Sequence, residues 1–151
     1  MCDLNLYFTQ GDNALIDDAS ASATLETIIP SQTSVKNVQH FAQIHDNRRF
    51  QDFDYGSQGN MNRYGSETPP EFDLTQITDV PIAILIEPLD DEGTALDNEW
   101  LIQQLNDIVV FNRTYEDYAH FDFYVAKDTT VYLNDVINLL QEYNQVSFLN
   151  A

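Results

Sequence analysis

The stretch VPIAILI, residues 80–86, constrains the fold of this chain more than any other: it runs without a charge and stops at Glu87-Pro88. A run that short is the pattern of a strand covered on both faces, as in a parallel sheet. After an acidic loop, Asp97 is placed to cap a helix carrying Trp100, Leu101 and Leu105, and IVVF at 108–111 reads as the next buried strand. Thr129 then caps a final helix whose Val131, Leu133, Val136, Ile137 and Leu140 form one apolar stripe. Strand, helix, strand, helix in that order predicts an α/β class, a short parallel sheet flanked by helices. Two strands are few for such a sheet, so the pattern predicts part of a larger one.

Upstream the pattern is weaker. Residues 1–31 are mixed and acidic, rich in Ser, Ala, Asp and Thr, with Pro30 closing them. Thr33 or Ser34 can cap a helix with Val35, Val38, Phe41, Ala42 and Ile44 on one face, and Arg48 and Arg49 suit its negative C-terminus. Residues 51–73 read as loop, because Gly56, Gly59, Gly65, Pro69 and Pro70 leave little room for regular structure. A connection that long inside a compact domain is usually functional or belongs to something larger.

Charge excludes whole classes of partner. The 151 residues hold 25 Asp and Glu against six Lys and Arg, a formal charge of −19, which disfavours nucleic acid and anionic membrane surfaces. The length predicts one domain with a real core. The single Cys2 excludes an internal disulfide and a Cys-rich zinc site. MCDLNLYFTQGD has neither a basic start nor a continuous apolar run, so no signal peptide is expected in these residues. No stretch approaches the ~20 apolar residues of a membrane span, so stable membrane insertion is not expected. NRT at 112–114 fits the N-glycosylation acceptor pattern, one that often arises by chance.

In an open parallel sheet, functional groups collect where strands end at their carboxyl edge. Asp90 follows the first strand and His120 lies in the loop after the second, so the two loops can meet. An Asp that holds a His tautomer, with a His that removes a proton from a nucleophile, is the acid–base part of a hydrolytic triad. The bland alternative is a His bonding a carbonyl at a loop edge. Ser57, in YGSQG, completes the order Ser, Asp, His but does not suit a nucleophile elbow. Tyr55 occupies the place of the first glycine, and neither a strand into the turn nor a helix out of it is predicted. PLDDEGTALDNE, 88–99, has Gly93 and Glu99 at calcium-loop spacing, but Pro88 takes the first ligand position and a strand precedes it. His40 and His45 lie five apart on different helix faces and make no zinc pair; His40 reads as a hydrogen-bonded structural residue.

Four stretches in order resemble the acid lipases, the gastric and lysosomal lipase family of α/β-hydrolases. They are TSVKNVQHFAQ (33–43), FQDFDYGS (50–57), PPEFDLTQITDVPIAI (69–84) and HFDFYVAKD (120–128). The resemblance implies that 33–151 is the C-terminal half of an α/β-hydrolase lipase domain. Residues 1–32 match poorly and would be the end of a cap region or disordered. It assigns Asp90 as triad acid and His120 as base, with Asp91 as the rival acid, because the family's paired glycines before the acid are here Glu87-Pro88-Leu89. Its Gly-His-Ser-Gln-Gly elbow has no counterpart, so this chain alone is expected to be inactive. The missing N-terminal half of the fold becomes the expected partner. The implied reaction is hydrolysis of neutral lipid esters, triglycerides or sterol esters, with no cofactor and no metal. The family's setting is secreted or lysosomal. The rival class is a non-catalytic protein, either a truncated relic or an acidic interaction module.

Overall fold

The computed structural model describes residues 15–29 and 32–143; Cys2 and Pro30 lie outside them. In chain order they form α1 (Ala19–Leu25), α2 (Val35–Asn47), α3 (Ser57–Tyr64), β1 (Ile82–Ile86), α4 (Ala95–Leu105), β2 (Val109–Thr114), α5 (Asp122–Val125) and α6 (Thr130–Tyr143). Contacts divide the chain into two units, Pro30–Gln76 and a second made of Met1–Ile29 with Ile77–Ala151.

In the first unit Ser34 caps α2, its hydroxyl accepting from Asn37 N–H at 3.0 Å. The apolar positions Val35, Val38 and Phe41 are exposed, and polar side chains do the joining. Gln43 clamps the backbone of Asp54 through both amide atoms, at 2.8 and 2.9 Å. His40 Nε2–H donates to the Gln51 carbonyl at 2.8 Å, which fixes its tautomer and bears out a structural histidine. Arg48 ends the helix in the left-handed region at φ 54°.

The expected loop at 51–73 contains a helix, α3, and the reading of its glycines as breakers needs correcting. Gly56 and Gly65, at φ 76° and 72°, bound the helix rather than prevent it. Gly59 lies inside it because a Cβ there would come within 2.6 Å of the Tyr55 Cβ. Asn60, 1% exposed, organises the whole segment. Its Nδ2 donates to Asp54 Oδ1 at 2.7 Å and to the Glu67 carbonyl at 2.9 Å, while its Oδ1 accepts from Tyr55 N–H at 2.9 Å. Tyr55 itself lies under Lys36 and Arg63, the Lys36 ammonium also donating to its hydroxyl. An antiparallel bridge between Gln51 and Glu71 closes the segment.

The second unit holds the sheet. β1 and β2 pair in parallel, Ile86 opposite Thr114. Ile84 and Ile86 are buried, but Ala83 is exposed and β2 has no buried residue. The strands are therefore covered on one face among the described residues, not on two as the apolar runs predict. The core lies beyond the carboxyl ends of the strands, where Tyr115, Tyr118 and Ala126 are buried against Ile16, Leu85, Phe123 and Tyr132. The Tyr115, Tyr118 and Phe123 rings meet at 5.3–5.6 Å, the Tyr115–Phe123 pair edge-on at 86°, a geometry worth roughly 0.5–1.5 kcal/mol per pair beyond the area buried.

Helix ends refine the sequence reading. Thr94, not Asp97, begins α4: its hydroxyl accepts from Asp97 N–H at 3.3 Å, and the Asp97 carboxylate accepts from Thr94 N–H at 3.2 Å. This reciprocal arrangement is a capping box, with Asp97 at its third position. Thr129 does precede α6, its carbonyl accepting from Leu133 N–H at 3.0 Å. Tyr115 and Arg113 anchor that helix by donating to Asp135 at 2.8 and 2.7 Å. The α6 stripe at Val131, Leu133, Ile137 and Leu140 stays exposed. Residues 15–29, from the segment expected to end a cap region or lack order, carry α1 and bond to 125–127 through Asp18 N–H to the Val125 carbonyl, 2.7 Å, and Lys127 N–H to the Ile16 carbonyl, 2.8 Å.

Candidate active site

The site forms where the sheet stops. Tyr115 N–H donates to the Ile86 carbonyl at 2.9 Å, carrying the ladder one step past β2. The chain then turns over 87–90, with Asp90 N–H donating to the Glu87 carbonyl at 3.1 Å. Asp90 Oδ1 accepts from the N–H groups of Glu92 and Gly93 at 2.6 and 2.9 Å. Those two donors fix the carboxylate and leave Oδ2 aimed outward. Gly93 permits this close wrap: a Cβ there would sit 3.2 Å from Asp90 Oδ2.

His120 is presented by a second turn. Asp122, 2% exposed, accepts from Ala119 N–H at 2.9 Å through Oδ2, and its own N–H donates to the Ala119 carbonyl at 2.9 Å. His120 and Phe121, between them, are held with little freedom, and the Phe121 ring stands edge-on to the imidazole at 4.5 Å. His120 Nδ1 lies 2.9 Å from Asp90 Oδ2. The side chains are 28% and 9% exposed, so the pair is shielded yet reachable. Asp91, the alternative acid, is exposed, and no bond joins it to His120 among the described residues.

The far nitrogen meets another acid, Nε2 lying 3.6 Å from Glu92 Oε2. Burial alone would lower the His120 pKa, but the Asp90 hydrogen bond and charge, helped by Glu92 and Glu87, raise it above its ordinary value. Burial works the other way on Asp90, and the bonds from His120, Gly93 and Glu92 overcome it and hold the carboxyl lower. Burial also drives Glu87 up to about 7, with the Asp90 charge adding to it. An imidazole held through Nδ1 by a carboxylate can take a proton at Nε2 and be stabilised while it carries it.

Two further expectations concern Ser57 and metals. Ser57 opens α3, so a helix does leave the YGSQG turn, contrary to the sequence reading. No strand enters that turn, however, and Gly56 rather than the serine takes the positive φ. Glu87, Asp90 and His120 offer cation-type donor atoms within 4.8 Å of one another. Nδ1 and Oδ2 of that cluster already bond to each other. Sequence reasoning missed Glu87 and Asp122. HFDF holds the only signal for the second, an acid two places after a loop histidine.

No family model matches the chain. It is 34% identical over 118 residues to lipase member K of Homo sapiens, 77% of this chain and 29% of that protein. Over 116 residues it is 33% identical to lipase member N of Mus musculus, covering 76% of this chain and 28% of the relative. The gastric triacylglycerol lipase of Rattus norvegicus is 34% identical over 116 residues, 75% and 29% of the two chains. The chain is related to lipases. It spans under a third of the length of these relatives. Its small parallel sheet with flanking helices fits part of the α/β-hydrolase fold of lipases. Among the described residues of this lipase relative, no helix is long and apolar enough to cross a membrane.

Proposed function

We propose that this chain is the C-terminal part of an acid-lipase-like carboxylic ester hydrolase, its matching region being residues 33–151. Asp90 is the triad acid and His120 the base, and the nucleophilic serine comes from residues outside this sequence. The observation that carries the reading is the 2.9 Å contact from Nδ1 to Oδ2, made at the carboxyl edge of a parallel pair by residues after consecutive strands. In the whole enzyme, Nε2 takes the serine proton as Oγ attacks the ester carbonyl carbon. The imidazolium returns that proton to the departing alcohol, and water repeats the cycle on the acyl-enzyme. Asp90 stays ionised and stabilises the imidazolium throughout. No cofactor enters these steps. Neutral lipid esters are the substrate class that the related lipases suggest, and the secretory or lysosomal route is the setting.

A non-catalytic reading draws support from Glu92, whose carboxylate faces the nitrogen a serine would need. Sequencing the transcript upstream of the Met1 codon separates the two. An in-frame Gly-x-Ser-x-Gly elbow supports the hydrolase; in-frame stop codons with no elbow support the non-catalytic protein.

A further inference from the structure

Glu87 has no role in the chemistry described above, yet it is built into the site. It follows the last residue of β1, and its carbonyl closes the turn that presents Asp90. Its Oε1 is enclosed without a hydrogen-bond partner, and the Phe123 N–H faces the same carboxyl. Its carboxyl lies within 4.8 Å of donor atoms of both Asp90 and His120. An enclosed carboxylate oxygen with no donor is costly, whereas a protonated carboxyl there costs less.

We propose that Glu87 is a positioning residue of the dyad: it holds a proton beside Asp90 and His120 and sets the pH at which His120 releases its own. The role rests on the hydrolase reading for its use, but not for its test. Among the described residues, the groups facing the cluster are Asp90 and Glu92 from the 87–94 loop and the buried Asp122 from α5, with His120 as the cation. Asp90 keeps its charge, so the exchangeable protons sit on Glu87 and His120. Ionising Glu87 strengthens the hold on the imidazolium, and losing the imidazolium charge makes Glu87 harder to ionise. Two groups so coupled titrate in two shared steps rather than independently.

The test follows the His120 ring Cε1–H resonance from acid to alkaline pH in the intact chain and in Glu87→Gln, which keeps the shape and the acceptor for Phe123. Two steps are expected in the wild type. A single step, shifted to lower pH, is expected in the variant. Superimposable curves would overturn the proposal. The Glu87 side-chain carboxyl carbon of the wild type gives a second readout that needs no variant. Titration near neutrality supports the proposal, and titration with the bulk glutamates overturns it. Neither readout requires ester turnover, so this role and the hydrolase reading fail separately.

Discussion

Leu89 N–H donates to the Tyr118 carbonyl oxygen at 3.1 Å. That single backbone bond joins the turn carrying the acid to the loop carrying the base, one residue from Asp90 and two from His120. The dyad is thus held by main chain as well as by its own side-chain contact, and small backbone changes should be felt at the imidazole.

Gly93→Ala is the mildest such change. The added methyl would lie 3.2 Å from Asp90 Oδ2, and the carboxylate cannot swing aside freely because Oδ1 is held by two N–H groups. The Nδ1 bond should lengthen, and the His120 pKa should fall toward its ordinary value. Ring-proton titration checks this; an unchanged His120 curve would show that the loop gives way instead.

Stability should favour acid. Glu87 titrates at about 7 against an ordinary 4.5, so the folded state keeps a proton that the unfolded chain gives up, and stability falls as pH rises between those values. His120, raised above 6.5, contributes stability that is complete below 6.5 and lost as pH climbs through its folded value. Asp90, held below 3.8, contributes stability that disappears only as pH drops through that lowered value. The midpoint of thermal unfolding should therefore be highest near about pH 4–5 and decline toward about pH 8. Glu87→Gln should flatten the decline between 4.5 and 7. A variant with the wild-type slope would refute the assignment.

Asn60→Ala should cost the first unit far more than its surface neighbour Asn62→Ala. It removes three part-buried hydrogen bonds, from the Tyr55 N–H and to Asp54 and the Glu67 carbonyl, at about 0.5–1.5 kcal/mol each. Denaturant midpoints of the two variants give the comparison, and equal losses would mean that the network carries little.

Much of the second unit was legible in the sequence. VPIAILI and IVVF marked the strands, and the parallel order brought Asp90 and His120 to one edge. What failed was whatever depends on a partner surface. The apolar runs read as two-sided, yet Ala83 is exposed and β2 has no buried residue. The α6 stripe has the right period, yet Val131, Leu133, Ile137 and Leu140 stay exposed. Thr94 and Asp97 satisfy the same capping rule three residues apart, so only hydrogen bonds could choose between them. The α3 helix escaped because glycine breaks or bounds a helix depending on its φ, which spacing does not report. Glu87 was read as an interruption before the acid; its importance lies in its enclosure, which composition cannot express.

The acid–base role is tested most directly by a chimera in which the matched stretch of lipase member K is replaced by the corresponding residues of this chain. Initial rates on a short-chain ester would then be compared among the chimera, its His120→Ala variant and its Asp90→Asn variant. The folded chimera should hydrolyse the ester, with kcat reduced on the order of 10⁶-fold in the first variant and on the order of 10⁴-fold in the second. Turnover that survives His120→Ala, or a folded chimera with none at all, would contradict the assignment of Asp90 and His120 as the acid and base of a serine hydrolase.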